Sequence, residues 1–179
     1  MLIQHKPDLT GANLSSPPKW ILSRRLINAL GFVICSLLLT YAYYLEFYQN
    51  LQPCPLCTLQ RLAFAVLGFV FLIAAVHNPW RWGGKIYAAL IALTAGIGAG
   101  IAGRHVWLQI RQPEEAVVCL PGLDYLLKAF PFTEALHLVL FESGDCSGID
   151  WTFLGLSMPT WTLLAFLSLG MVGTVRNWR

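Results

Sequence analysis

Two cysteines, Cys54 and Cys57, stand in the stretch PCPLCTLQR at the start of a long apolar run. A Cys-x-x-Cys pair is typical of thiol–disulfide exchange, because its short ring is easily reduced and one thiolate is readily stabilised. If Cys54 is the N-cap of a helix and Pro55 its first residue, Cys57 is the third. Unpaired backbone N–H groups and the helix dipole then favour a thiolate at Cys57. The spacing predicts an exchange pair at a helix N-terminus.

Arg61 follows Cys57 by four residues, which places the two side chains on one face of the predicted helix. A guanidinium inside a membrane is costly unless it is paired or faces a polar cavity. One interpretation is a salt bridge to Glu46 or a side chain that reaches back to the membrane interface. The other is that Arg61 stabilises negative charge on a sulfur or on a bound oxidant. An oxidant at that depth must dissolve in lipid, and a quinone meets this requirement.

The chain has three further cysteines, Cys35, Cys119 and Cys146. Cys35 falls within an apolar window, where we expect a small buried residue. Cys119 and Cys146 lie in a long segment that is expected on the same side of the membrane as Cys54 and Cys57. Disulfides persist outside the cytoplasm, and we favour an exchange pathway through the four thiols, which needs no metal. Two structural disulfides and a tetrahedral zinc site are the alternatives.

The composition indicates an integral membrane protein. Of the 179 residues, 56% are hydrophobic and 12% are charged, whereas a soluble domain has about 25% charged residues. The mean hydropathy is +0.60. A net charge of +3 with scattered basic residues argues against nucleic-acid binding. The N-terminal residues lack the apolar core of a cleaved signal peptide, so the first apolar window is expected to remain as an anchor.

Four apolar windows reach the length of about 20 residues that a membrane-spanning helix needs. They are Leu26–Phe47, Thr58–Val76, Ile86–Trp107 and Met158–Val175. We therefore predict an all-α membrane protein, a bundle of four transmembrane helices with a long outer loop between the third and the fourth. The basic residues before, between and after these windows predict that both termini are cytoplasmic; they are Lys6, Lys19, Arg24, Arg25, Arg81, Lys85, Arg176 and Arg179.

The third window contains two further features. His105, in GRHVWLQ near its outer end, is expected either to hydrogen-bond a quinone oxygen or to face interfacial water. Small residues recur at spacing four, a pattern that lets helix backbones approach closely in lipid. We expect this ridge to pack within the bundle, and contact between two copies is the alternative. Its members are Gly84, Ala88, Ala92, Gly96 and Gly100.

The outer segment 108–157 is acidic and partly apolar. It carries seven acidic residues against Arg111 and Lys128, and seven minus two gives a local charge near −5. Such a charge is expected to help steer a soluble partner. The stretch LDYLLKAFPF, Leu123–Phe132, is too short to span and has few charges, so we expect it along the membrane surface. Cys119 and Cys146 would then be close to the bilayer and accessible to a soluble protein.

Four stretches together resemble the disulfide bond formation protein B (DsbB) family of bacterial inner membranes: CPLCTLQR, RHVWLQ, CLPGLDYLL and SGDCSGIDWTFLGLSMPTW. They occur in the family's order, and only the N-terminal tail falls outside the resemblance. The resemblance implies a four-helix bundle that reoxidises DsbA, a soluble thioredoxin-fold dithiol oxidase of the periplasm. It also implies that the electrons pass to ubiquinone or menaquinone in the lipid bilayer.

Carried over to this sequence, the resemblance implies a role for each of four cysteines. Cys119 is expected to form the mixed disulfide with the DsbA-like partner, with Cys146 as its companion. Cys54 is expected to exchange with Cys146, and Cys57 to contact the quinone. The loop around Cys119 differs in length among relatives, so the partner surface is not carried over.

The resemblance also bears on three residues of the second and third windows. Arg61 matches the family's quinone-site arginine, and His105 matches the histidine at the end of the third span. Both are expected to bind the quinone. Gln60 stands where some members carry an acid, so the resemblance assigns it no role.

The expected organisation of the chain follows from the spans and the resemblance. It comprises a cytoplasmic tail at 1–25, a membrane domain at 26–176 with periplasmic loops at about 48–57 and 108–157, and a cytoplasmic end at 177–179. The vitamin K epoxide reductase family, a rival with analogous chemistry, has its Cys-x-x-Cys in the last helix and its loop cysteines before it, the reverse of the order here. A metal-binding or scaffolding membrane protein is the rival of another class.

Overall fold

The computed structural model describes residues 23–49, 54–78, 82–111, 125, 128–141 and 152–178. Its helices are, in chain order, α1 (Arg24–Gln49), α2 (Pro55–His77), α3 (Trp82–Arg111), α4 (Phe132–Phe141) and α5 (Met158–Trp178). Two short antiparallel strands, β1 (Thr152–Phe153) and β2 (Leu156–Ser157), form a hairpin directly before α5. Cys119 and Cys146 lie outside the described residues.

Four of these helices are long and apolar enough to cross a membrane, namely α1, α2, α3 and α5. The predicted fold class, an all-α bundle of four transmembrane helices, is confirmed. The helices extend past the predicted windows, and α3 adds four residues at each end of Ile86–Trp107. Its 30 residues measure about 45 Å, more than the hydrocarbon thickness of about 30 Å. A helix continues there because its backbone hydrogen bonds do not depend on apolar side chains.

The core of the bundle is built from aromatic rings set against small residues. Helix α2 packs between α1 and α3, and α5 packs along α3. Phe64 of α2 stacks on Phe166 of α5 with ring centroids 3.9 Å apart. Gly98 of α3 makes room for this stack, because a Cβ atom there would lie 2.3 Å from the Phe166 ring. The close approach of α3 and α5 therefore requires glycine at this position.

The predicted ridge on α3 is only partly correct. Gly84 and Ala88 are buried, whereas Ala92, Gly96 and Gly100 are exposed. Steps of four residues rotate the ridge by about 40° each, so it leaves the packed face within a few turns. Alternating steps of four and three stay on one face, and the buried residues follow that pattern: Gly84, Ala88, Ile91, Ala95, Gly98, Ala102 and His105.

A buried amide pair joins the first and last helices at the end of the bundle far from Cys54. Asn28 of α1 and Asn177 of α5 are 1% and 2% exposed. Each donates to the other's side-chain oxygen, at 3.0 and 2.8 Å, and Asn177 also donates to the Gly173 carbonyl at 2.8 Å. Gly84 of α3 lies against the same point, since a Cβ atom there would be 2.8 Å from the Asn177 carbonyl oxygen. Sequence analysis did not anticipate this contact.

The outer segment contains structure that the sequence did not predict. Val139 of α4 is buried against Leu56 of α2 and Leu108 of α3. The hairpin turns at Leu154 and Gly155, both with positive φ, as in the type I′ turn that is common between two antiparallel strands. Ser157 then donates to Gln109 of α3 at 2.7 Å. Four of the ten residues of the predicted surface stretch Leu123–Phe132 lie outside the described residues, and its placement on the membrane stays a prediction.

Candidate active site

The N-terminus of α2 has the predicted capping arrangement. Cys54 is the N-cap, with extended backbone angles, and its sulfur accepts the Cys57 backbone N–H at 3.3 Å. Pro55 occupies the first helical position, where its missing N–H costs nothing. The Thr58 N–H bonds to the Cys54 carbonyl at 3.1 Å and closes the first turn. The local sequence therefore builds a helix start in which a sulfur replaces the usual hydroxyl or carboxylate oxygen.

The Cys54 and Cys57 sulfurs lie 2.9 Å apart, and both cysteines are free thiols and half-buried. The two residues lie one helical turn apart, because Cys54 is the N-cap of α2 and Cys57 is its third residue. A disulfide bond needs about 2.05 Å between the sulfurs, so a small rotation of either side chain brings them to bonding distance. The two thiols are therefore positioned to form a disulfide with each other.

His105 of α3 reaches the cysteine pair from the side. Its Nε2 atom lies 3.9 Å from the Cys54 sulfur, and its Nδ1 atom lies 3.1 Å from Nε2 of Gln60. The side chain is 3% exposed, so the expectation that it faces interfacial water is wrong. His105 belongs to the buried face of α3, which directs its side chain into the bundle. Its polar partners there are Cys54 and Gln60. A contact with quinone stays a prediction.

Gln60 is the site residue that sequence reasoning missed. It is 4% exposed, bonds to His105, and accepts a hydrogen bond from Thr162 of α5 at 2.9 Å. Three helices thus meet at one amide. The available signal was a polar, uncharged residue inside an apolar span, three residues after Cys57, since polar groups within a membrane are usually buried and paired.

Arg61 lies on the side of α2 that faces α1. It forms an ion pair with Glu46, donates to the Ala42 carbonyl at 3.1 Å and sits over the Tyr43 ring at 5.1 Å. The predicted salt bridge is therefore present, and it compensates the charge at that depth. The ion pair is compatible with the predicted role of Arg61 toward an oxidant, because an arginine has five N–H donors and can bond to more than one acceptor. That role stays a prediction.

Cys35 is separate from this site. It is 1% exposed and belongs to the core cluster with Phe64 and Phe71. Gly68 packs against it, since a Cβ atom there would lie 3.1 Å from the Cys35 Cβ. The expectation of a small buried apolar residue is confirmed.

The ligand atoms of Cys54, Cys57 and His105 lie within 4.8 Å of one another, which raises the question of a metal. Two thiolates on a tetrahedral zinc ion are about 3.8 Å apart, as follows from Zn–S bonds of about 2.3 Å. The 2.9 Å between these sulfurs lies about midway between that value and the roughly 2.05 Å of a disulfide bond, and the cluster offers three of the four protein ligands of a structural zinc site. We assign no metal to this cluster.

Comparison with known proteins gives a consistent result. Residues 24–175 match the family model described as disulfide bond formation protein DsbB. A disulfide bond formation protein B from Nitrosococcus oceani is 51% identical over 151 residues, which cover 84% of this chain and 89% of that protein. Proteins of the same name from Hahella chejuensis and Methylococcus capsulatus are 47% and 46% identical, over 84% and 87% of this chain and 90% and 95% of theirs.

The family match contains the Cys54–Cys57 pair and the first three long helices, together with α5 up to residue 175. Neither the fold nor the site contradicts it, because the helices have the length of membrane spans and the thiols have the spacing of an exchange pair. The resemblance inferred from the four sequence stretches is confirmed. This chain belongs to the DsbB family of disulfide bond formation proteins and is an oxidoreductase with four membrane-spanning helices.

Proposed function

We propose that this protein oxidises the dithiol of a DsbA-like thioredoxin-fold protein and delivers the electrons to a membrane quinone, ubiquinone or menaquinone. The observation that carries the proposal is the Cys54–Cys57 pair, whose sulfurs lie 2.9 Å apart at the start of a membrane-spanning helix. Thiols at that position are close both to proteins in water and to acceptors in lipid. Membership of the DsbB family supports the same direction of electron flow.

The proposed exchange starts at the Cys119–Cys146 disulfide. A thiolate of the reduced partner attacks Cys119, and Cys146 leaves as a thiolate. The Cys146 thiolate attacks Cys54, which breaks the Cys54–Cys57 disulfide and releases the Cys57 thiolate. The partner's second thiolate then forms the partner's own disulfide and releases Cys119. Cys119 attacks Cys146, re-forms the loop disulfide and releases Cys54, so two electrons have moved to the Cys54–Cys57 pair.

The residues beside Cys57 fit a quinone. A bound quinone supplies an acceptor for two electrons and two protons. Arg61 offers N–H donors suited to a carbonyl oxygen, and the Tyr43 and Phe47 rings beside it are exposed and apolar. Cys57 lies one helical turn before Arg61, and we expect its sulfur to be the one that meets the acceptor. Arg61 stabilises negative charge that develops there, and His105 is a second candidate for contact with the quinone.

We further propose that the protein lies in the bacterial inner membrane with both termini in the cytoplasm and its redox loops, about 48–57 and 108–157, in the periplasm. The distribution of lysine and arginine supports this orientation. Among the described residues, the end opposite Cys54 carries Arg24, Arg25, Lys85 and Arg176 and no acidic residue. Arg24 approaches Gly84 there, and Lys85 lies 5.8 Å from the Trp178 ring. The division of the chain at residues 25 and 176 follows from the same orientation.

Acid trapping in cells tests the partner. In a Cys146→Ser variant, the free Cys119 thiolate should attack the disulfide of an oxidised periplasmic thioredoxin-fold protein and release one of its thiolates. The resulting mixed disulfide should accumulate, since the Cys146 thiol that would resolve it is missing. The matched control is Cys35→Ala, which changes a core cysteine and should trap nothing. Purified Cys57→Ser protein should lose quinone reduction driven by a dithiol. Quinone reduction that persists in Cys57→Ser, or a Cys146→Ser protein that traps no partner, would reject the proposal.

A further inference from the structure

A chain of polar contacts connects α5 to Cys54 through the buried centre of the site. Thr162 Oγ1 lies 2.9 Å from Gln60 Oε1, Gln60 Nε2 lies 3.1 Å from His105 Nδ1, and His105 Nε2 lies 3.9 Å from the Cys54 sulfur. Polar groups inside a bundle of membrane-spanning helices are retained only when their hydrogen bonds are made. Each of these groups has a partner, so the chain is a complete path along which proton positions are linked.

The hydroxyl of Thr162 limits how the protons in this chain are placed. It has one hydrogen but two acceptors, Gln60 Oε1 at 2.9 Å and the Pro159 carbonyl at 2.8 Å. When Thr162 donates to Gln60, the Gln60 NH₂ group donates to His105 Nδ1. When Thr162 donates to Pro159 instead, a half-turn of the amide lets Gln60 donate to Thr162 and accept from His105. Both arrangements satisfy every buried group.

The two arrangements correspond to two protonation patterns of His105. In the first, Nδ1 is an acceptor and carries no proton, so the proton sits on Nε2 and points at the Cys54 sulfur. In the second, Nδ1 carries a proton, and Nε2 is either an acceptor for the Cys54 thiol or, in the imidazolium, a donor to the Cys54 thiolate. An amide can serve both patterns because it has a donor and an acceptor, whereas a carboxylate would serve only the second.

We propose that Gln60, anchored by Thr162, is a positioning residue that holds His105 against Cys54 in both protonation patterns, and that His105 exchanges a proton with the Cys54 sulfur. The step rests on the function proposed above, in which Cys54 leaves as a thiolate when Cys119 attacks Cys146. The Cys54 thiolate then takes the proton from Nε2 of the His105 imidazolium, which gives a neutral thiol and a neutral imidazole. The reverse transfer regenerates the Cys54 thiolate, with no change in electron count.

Among the described residues, the thiols are the titratable groups best placed to exchange a proton with His105. Cys54 and Cys57 face it from α2, and α5 contributes the neutral hydroxyl of Thr162. Among the other ionisable groups at this end, Arg61 pairs with Glu46. Lys128 and, on α4, Glu134 and His137 are exposed. Arg104 is the neighbour of His105 along α3.

The test measures Cys54 alone, in the full-length protein in lipid nanodiscs. The background variant carries Cys35→Ala, Cys57→Ser, Cys119→Ser and Cys146→Ser, and the rate of alkylation by iodoacetamide is followed against pH by mass spectrometry. We expect His105→Phe and Gln60→Leu each to raise the midpoint of the profile by about one pH unit, because the thiolate loses its proton partner. Thr162→Val should raise it less, and Gln60→Leu should add nothing to His105→Phe, since the two act through one path.

Gln109→Leu is the matched control. Gln109 lies one turn beyond His105 on α3 and bonds to Ser157, so its substitution removes a neighbouring amide that bonds to a residue outside the path. An unshifted profile in Gln60→Leu overturns the role of Gln60, and an unshifted profile in His105→Phe overturns the whole inference. If thermal unfolding shows that Gln60→Leu does not fold, Thr162→Val and His105→Phe decide. No partner or quinone enters this assay, so its result is independent of the trapping and quinone-reduction tests.

Discussion

Arg61 on α2 and Glu46 on α1 form an ion pair across the interface of two membrane-spanning helices. Their side chains are 17% and 29% exposed, and the guanidinium also donates to the Ala42 carbonyl at 3.1 Å. The positive charge one turn from Cys57 is therefore balanced within the protein. In the proposed redox role, Arg61 donates to the quinone in addition to Glu46 and the Ala42 carbonyl. Glu46 then competes with the quinone for the guanidinium.

Substitutions of Arg61 and of Glu46 should have different effects on the Michaelis constant for quinone. Arg61→Ala should raise the Michaelis constant for quinone about tenfold, the effect of losing a charge-assisted hydrogen bond of about 1.5 kcal/mol, while thiol exchange between the loops survives. Glu46→Gln keeps the guanidinium and removes the carboxylate that competes with the quinone for it. The Michaelis constant for quinone should therefore stay the same or fall. Steady-state quinone reduction measures both, with Lys85→Ala at the opposite end as the control. An unchanged constant in Arg61→Ala would leave only the structural role of the ion pair.

The cap on α2 allows the structural and chemical roles of Cys54 to be distinguished. Cys54→Ser should retain the stability of the protein, because a serine oxygen is a good N-cap acceptor, whereas Cys54→Ala should lose about 1 kcal/mol. Both variants should lose thiol exchange. Chemical unfolding in detergent and a dithiol oxidation assay provide the two measurements. Equal stability of the alanine and serine variants would show that the Cys54 sulfur does not act as a cap.

The fit of α3 against α5 predicts a strong contrast between two glycines of the same helix. Gly98→Ala should destabilise the bundle by about 1–3 kcal/mol, because the added methyl overlaps the Phe166 ring and forces the core to shift. Gly96→Ala should be neutral or slightly stabilising, since a Cβ atom there has no neighbour within 4 Å among the described residues. Thermal unfolding of the two proteins in the same detergent tests this, and a stable Gly98→Ala protein would contradict the close approach of α3 and α5.

The amide pair of Asn28 and Asn177 predicts non-additive losses. Asn28→Leu should cost about 1–2 kcal/mol, because it leaves Asn177 buried with an unsatisfied oxygen. In the double variant with Asn177→Leu both amides are gone, so its cost should be smaller than the sum of the two single losses. Unfolding free energies of the four proteins form the cycle. Strict additivity would show that the two amides act independently.

Local features of this protein were determined by the sequence itself. The order Cys54, Pro55, Cys57 defines a helix start. The Cys54 cap on the Cys57 N–H and the proline in the first turn both depend only on neighbouring residues. Four apolar windows define the spans, since a helix must cross about 30 Å of hydrocarbon with predominantly apolar residues. The resemblance to the DsbB family rested on such stretches, and the comparisons confirmed it.

Contacts between helices were decided by the tertiary structure. His105, Gln60 and Thr162 come from three helices, and their meeting depends on how far each helix is rotated about its axis. Residue spacing limits that rotation but does not determine it, which is why the ridge on α3 was expected to pack along its whole length and does so only at Gly84 and Ala88. For the same reason, the sequence did not predict the pair of Asn28 and Asn177. These residues are 149 positions apart in the chain and become neighbours only when the first and last helices pack together.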